Sequence, residues 1–187
     1  MMRNFLSAVV CVTVLSFSAA TAQPAAAPKA PPMTLTSTAF TDGGIIPDKY
    51  SGDSNVPVSP SLMWANAPTA TVSFAIIMHD LDSLPRKAGP DNLHWMIFNI
   101  PSTVTSLPEG LPATGQLPDG TIQIVNGGGK VGYLPLGARV VYHHYAIELY
   151  ALDTKLSLGP DASRADATAA LEGHVIGKAA YVGRFHL

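Results

Sequence analysis

Hydrophobic and polar positions along this chain fall into short runs separated by turn residues, not into long helical stripes. Three runs are clear: residues 71–79 (TVSFAIIMH), 94–100 (HWMIFNI) and 140–152 (VVYHHYAIELYAL). Each is rich in β-branched, aromatic or large apolar side chains and is bounded by Pro, Gly or Asp, which predicts strands. Weaker runs at 35–40, 61–64, 121–125 and 179–185 predict four more. One helix is predicted over 164–172. Ser163 is its N-cap, Asp166 sits at the capping-box position, and Gly173 stands at its end. Strands outnumber helices and do not alternate with them, so the fold class is mostly β: a two-sheet antiparallel sandwich with a few short helices at one edge.

Side chains two apart on a strand share a face. In the first run this parity groups Val72, Phe74, Ile76 and Met78 with Asp80. In the second it groups His94 with Met96, Phe98 and Ile100, and in the third His143 and Tyr145 with Ile147 and Leu149. An Asp, two His and a Tyr thus end three otherwise apolar stripes. If these strands are neighbours, the four polar groups meet at one mouth of the sandwich. Taken singly, each is better explained by a local backbone partner. Together they suit a small anion, because imidazoles and a phenol donate hydrogen bonds and a carboxylate orients an imidazole or accepts from an ammonium.

Composition adds an export signal. The 187 residues are 47% hydrophobic and only 13% charged, with a mean hydropathy of +0.23. Much of the excess sits at the start, where Arg3 precedes an apolar stretch at 5–17 and Ala20-Thr21-Ala22 forms a small-x-small cleavage site. Residues 1–22 are therefore expected to be a signal peptide. The alternative, an uncleaved anchor, is disfavoured by an apolar stretch shorter than the ~20 residues that span a bilayer. Residues 23–33 read as a Pro/Ala-rich tether and 34–187 as one domain. The sole cysteine, Cys11, lies in the leader. The mature product is expected to be secreted or periplasmic, without cysteine chemistry and without a transmembrane anchor. A net charge of −2 with no Lys/Arg cluster argues against nucleic-acid binding.

Several motifs carry no chemistry. Gly127-Gly128-Gly129-Lys130 lacks the spacing and the Ser/Thr of a phosphate-binding loop. Adjacent His143 and His144 point to opposite faces of a strand, and no His-x-x-x-His pair occurs, so no metal site is assigned. There is no Gly-x-Ser-x-Gly elbow. A metal-dependent hydrolase stays a minor alternative, and no cofactor is expected.

The residues also carry a resemblance. The segment His79-Asp80-Leu81-Asp82-Ser83-Leu84-Pro85 resembles the Asp-Pro-Asp-x-Pro signature of the phosphatidylethanolamine-binding protein family. Leu93-His94-Trp95-Met96-Ile97-Phe98-Asn99 is similar to its His-Trp-Val-Val-x-Asn segment, and His143-His144-Tyr145 to its His-Arg-Tyr segment. The run from Leu171 to Ala179 is similar to the bacterial, Raf-kinase-inhibitor-like branch. The resemblance implies a two-sheet sandwich with a small anion pocket, in which Asp80, Asp82, His94, His143 and Tyr145 match family pocket residues and Pro135 a loop proline. It implies a binding protein for a phosphorylated or carboxylated head group, phospholipid included, and not an enzyme. The alternative it carries is an interaction module that inhibits a protease or regulates a partner protein; monomer and homodimer both stay open.

Three departures from the family pattern bear on the pocket. Leu81 replaces a Pro, which is expected to loosen the loop between the aspartates. A Pro/Gly-rich loop is reduced to residues 132–137, which is expected to alter the pocket wall. His144 stands in place of Arg, so an ion pair with an acid such as Asp82 exists only while the imidazole is protonated.

Overall fold

The computed structural model describes residues 30–84 and 89–187. The expected signal peptide and most of the tether lie outside the described residues, as does Pro85 of the family-like signature. Among the described residues eight strands and one helix follow in order: β1 (Thr34–Thr36), β2 (Leu62–Ala65), β3 (Ser73–Asp80), β4 (Asn92–Pro101), β5 (Ser106–Leu107), β6 (Ile122–Gln123), β7 (His143–Leu152), α1 (Arg164–Leu171) and β8 (Val175–Phe185). A 3₁₀ turn occupies Asp48–Tyr50. Two antiparallel sheets result, one ordered β1-β2-β5 and the other β6-β4-β3-β7-β8. The mostly-β, two-sheet expectation agrees with this.

The five-stranded sheet is buried on both faces. Phe74, Ile76, Met78, Trp95, Ile97, Tyr145, Ile147 and Leu149 pack against Leu35, Leu62, Trp64 and Leu107 of the smaller sheet. Ala75, Ile77, Met96, Phe98 and Leu152 form a second core beneath Ala167 and Leu171 of α1. Two buried faces explain why β3 and β4 read as near-continuous apolar runs. Each large apolar side chain fully buried this way stabilises the fold by roughly 1.5–3 kcal/mol.

Local chemistry sets the helix. The Ser163 hydroxyl accepts from the Asp166 amide at 3.1 Å, while the Asp166 carboxylate accepts from the Ser163 amide at 3.2 Å. This reciprocal box satisfies two amides that the first turn would otherwise leave unpaired. Gly173, at φ 79°, then turns the chain into β8.

Some boundaries differ from expectation. Val72 precedes β3 and is exposed, and residues 140–142 precede β7 as exposed chain. β1 is shorter than the predicted run, and β5 pairs with β2 through only Ser106 and Leu107, too few residues for a sequence pattern to show. Among the described residues no helix is long and apolar enough to cross a membrane.

Candidate functional site

Because β3 lies between β4 and β7, the ends of the three predicted runs do become neighbours. Asp80 is the register partner of Asn92 on one side and Tyr145 on the other. At this corner a cavity of about 280 Å³ is lined by Asp80, His94, Pro135, His143 and Tyr145, together with Ser83 and Asn92. The four side chains that parity selected therefore converge. Asp82 does not line the cavity.

The route by which His94 reaches the cavity corrects the parity reading. Met96 and Phe98, its expected face-mates, belong to the core beneath α1. The β3–β4 register slips between Met78 and His79, pairing Met78 with Trp95 and His79 with Leu93. His94 is the extra residue of a bulge, and it joins Trp95 on the inter-sheet face. A second irregularity, at Asn99 with φ 58°, returns Ile100 to that face. Asn tolerates this left-handed backbone. Here its side chain also exchanges hydrogen bonds with the backbone of Leu156, at 2.9 and 2.8 Å. By contrast, β7 is regular along its β3 partner, and His143, Tyr145, Ile147 and Leu149 share a face as expected.

The hydrogen bonds define protonation. His94 Nδ1 donates to the Leu134 carbonyl at 2.8 Å, since a carbonyl can only accept. Burial holds the imidazole below its ordinary pKa, against the Leu134 bond and the charges of Asp80 and Asp91. Its Nε2 is therefore unprotonated and accepts from Asn92 Nδ2 at 3.2 Å. Asp80, itself buried, accepts from the Asp82 amide at 3.0 Å and from His143 Nδ1 at 2.7 Å. That bond fixes the His143 ring and leaves Nε2 without a partner among the described residues.

Tyr145 is the notable group. Its hydroxyl is fully buried and has no hydrogen-bond partner among the described residues. Burial, then the charge of Asp80, push its pKa up to about 12, opposed by the nearby amides of Gly137 and Ala138. Those amides can only donate, so the phenol's own proton lacks an acceptor. The edge of the His94 ring packs against it, centroids 5.0 Å apart. A buried donor left unmade costs about 1–3 kcal/mol, which an acceptor entering the cavity would recover.

The departures at the cavity's edge turn out to be accommodated. The Leu81 amide donates to the His144 carbonyl at 2.9 Å, a bond that proline cannot make, so the loop is pinned and not loosened. Asp82 accepts from the His144 amide at 2.6 Å and pairs with its Nδ1 at 2.9 Å. These contacts, the amide first, hold the Asp82 carboxyl below the usual range. The shortened 132–137 loop still walls the cavity through Leu134, Pro135 and Gly137, and the Leu134 amide donates to the His94 carbonyl at 2.7 Å.

Ser83 and Asn92 escaped the sequence reading. Ser83 donates to the Asp80 carbonyl at 3.1 Å and accepts from the Asn92 amide at 2.7 Å, closing the loop onto β4. The only available signal was an Asn two positions before the motif histidine. Outside the cavity, Leu81, Leu84, Val140, Val141 and Tyr142 expose apolar surface on the segments that flank it.

The opposite face of the same corner holds a charged network. His79 bonds to Asp91 and lies 3.6 Å from Glu148, Arg164 pairs with Asp91, and Lys178 pairs with Glu148 at 2.6 Å. Bonding to Glu148, then to Asp91, raises the His79 pKa against its burial. His79, then Lys178 and Tyr150, lower Glu148 to about 2 despite burial. A larger cavity, about 460 Å³, adjoins Asp91 and Arg164. Among the described residues no group of three or more His, Cys, Asp or Glu is arranged to hold a metal ion.

Known proteins resemble this one across the whole described fold. A UPF0098 protein of Methanothermobacter thermautotrophicus is 42% identical over 153 residues, covering 82% of this chain and 98% of the relative. LppC of Mycobacterium tuberculosis, named as a lipoprotein, is 33% identical over 163 residues, 85% of this chain and 75% of its own. The crystal structure of CT736 from Chlamydia trachomatis, titled a phosphatidylethanolamine-binding protein homologue, superposes with a TM-score of 0.73 at 32% identity. The match covers 82% of this chain and 97% of that one. YbcL of E. coli, titled a member of the mammalian family, gives 0.70 at 27% identity, with 83% and 98% covered. Residues 36–186 match the family's own sequence pattern, so the two-sheet fold and the corner between β3, β4 and β7 are those of a member: this chain belongs to the phosphatidylethanolamine-binding protein family.

Proposed function

We propose that this protein is an exported binding protein whose corner cavity takes a small phosphorylated or carboxylated group, and that it performs no catalysis. The observation that carries this reading is the Tyr145 hydroxyl, a buried donor with no acceptor among the described residues, beside an imidazole oriented by Asp80. An entering anion accepts the hydrogen bond that the phenol otherwise lacks, beside the His143 ring that Asp80 orients. Leu134 and Pro135 close one wall. Export is supported by the leader-like first 22 residues and by a relative named as a lipoprotein.

Calorimetry with acetate and dimethyl phosphate tests the reading. Wild type is expected to bind, and Asp80→Ala or His94→Ala to abolish binding while the protein stays folded. Binding that survives both variants would remove the cavity from the account. Turnover of an ester or phosphodiester panel with added metal would overturn the non-enzymatic part.

A second reading, a regulator or inhibitor of a partner protein, is favoured by one observation: the exposed apolar side chains of Leu84, Val140 and Val141 beside the cavity. Under it, a partner's binding is lost in Val140→Glu and retained in His94→Ala.

A further inference from the structure

We propose that Tyr133 is a positioning residue of the corner site: by fastening the 132–137 loop to the 3₁₀ turn at Asp48–Tyr50, it holds the cavity wall, and through Leu134 the His94 ring, in the arrangement that receives an anion. The inference rests on the anion-binding reading and adds to it a residue outside the described cavity lining.

The loop is attached at two places, with the wall between them. Towards β4, the Leu134 amide donates to the His94 carbonyl at 2.7 Å, and the Leu134 carbonyl accepts from His94 Nδ1 at 2.8 Å. One residue thus grips both the backbone and the ring of His94. Towards the 3₁₀ turn, the Tyr50 carbonyl accepts from the Tyr133 hydroxyl at 2.9 Å and from the Leu136 amide at 3.1 Å. The Leu136 carbonyl in turn accepts from the Gly52 amide at 2.9 Å. Pro135 lines the cavity between these attachments. Gly137 and Ala138, whose amides lie near the Tyr145 hydroxyl, follow directly after the second.

The bonds of Leu136 are made by backbone and do not depend on its side chain. The Tyr133 bond needs a phenol. The aim of that phenol is set by packing: the Tyr133 ring stands edge-on to Trp95, centroids 6.1 Å apart, and the Trp95 indole is itself fixed by donating to Gln123 at 2.8 Å. Tyr133 therefore leans on the residue beside His94 while its hydroxyl reaches a turn 83 positions away in the chain. A wall ordered in advance spares the guest the cost of ordering it, so the attachment is expressed in affinity. Tyr133→Phe keeps the ring against Trp95 and leaves the Tyr50 carbonyl its bond from Leu136, so the fold is preserved while the loop loosens.

Tyr50→Phe is the matched control. It removes a hydroxyl that donates to Glu109 at 2.5 Å, at the far end of the same residue, and leaves the carbonyl that Tyr133 uses. Calorimetry with dimethyl phosphate, with NMR of the solvent exchange of the His94 Nδ1–H, separates the two. Tyr133→Phe is expected to bind about fivefold more weakly and to exchange that proton faster. Tyr50→Phe is expected to match wild type in both. In wild type, which needs no variant to fold, the amides of Leu134, Leu136 and Gly52 are expected to share one level of exchange protection, as parts of one opening unit. Unchanged affinity and His94 exchange in Tyr133→Phe, equal losses in the two variants, or Leu136 and Gly52 amides exchanging far faster than that of Leu134 each overturns this inference and leaves the anion-binding reading standing. Failure of wild type to bind either dimethyl phosphate or acetate overturns both.

Discussion

On one face of the β3–β4 corner, Asp80 holds His143, Asn92 holds His94, and the Tyr145 hydroxyl has no acceptor among the described residues. On the other face, His79 is bonded to Asp91 and approaches Glu148, while Arg164 and Lys178 complete the two acids. The same residue types, one position apart along β3, are used in opposite ways. The second face brings in two permanent cations and pairs every charge, so it ties α1, β3, β7 and β8 together. The first leaves the Tyr145 hydroxyl without an acceptor among the described residues. The larger cavity, about 460 Å³, lies by the paired network, and the smaller, about 280 Å³, by the unmet Tyr145 hydroxyl. Unsatisfied buried groups point to a guest more directly than cavity size does.

Breaking the paired face should cost the most stability. Asp91→Asn leaves Arg164 and His79 facing a neutral amide and is expected to destabilise the protein by roughly 3 kcal/mol, read by urea unfolding. Anion affinity should hardly change; a large loss of affinity would mean that the two faces are not separate in role.

The pH dependence of that network has a definite sign. The His79 pKa is raised in the fold, so its contribution is complete below the ordinary value of 6.5 and is lost as pH rises through the folded value. The Glu148 pKa is lowered, so its contribution is complete above 4.5 and is lost as pH falls toward about 2. Between 4.5 and 6.5 both are present. His79→Gln is expected to cost about 2 kcal/mol in that window and less at higher pH. A Tm difference from wild type that grows with pH would contradict the assignment.

On the open face the expected effects are smaller and fall on binding. Tyr145→Phe removes an unpaired hydroxyl, so stability should hold or rise slightly, while affinity for dimethyl phosphate drops by roughly tenfold or more. A stability loss without an affinity loss would show that the hydroxyl serves the fold. Smallest of all, His144→Ala should let the Asp82 carboxyl rise part of the way toward its ordinary pKa in a carbon-detected titration. The His144 amide, the larger cause of its lowering, remains in the variant.

How much of this was legible in the sequence depended on how local and regular each feature is. The α1 capping box was readable because two residues three positions apart, Ser163 and Asp166, decide it. The His143–Tyr145 face was readable because β7 runs without a bulge until Ala151. In β4 the parity argument failed, since bulges at His94 and Asn99 twice change the face and both faces are apolar, which hides the change. His94 reached the cavity through a bulge that the pattern does not reveal. The His79 network was missed because Asp91, Glu148, Arg164 and Lys178 come from four separate elements or loops and look like ordinary surface charge. Asn92 was missed because its importance lies in one contact with a ring two residues away.

The central claim, that the corner with the unmet Tyr145 hydroxyl and not the paired charges forms the binding site, is tested most directly by an NMR titration of wild-type protein with dimethyl phosphate, following the imidazole signals of His79, His94 and His143 and the Tyr145 ring. The account predicts saturable shifts at His94, His143 and Tyr145 while His79 stays still. Shifts at His79 and the Arg164 side chain, with His143 and Tyr145 unmoved, would contradict it.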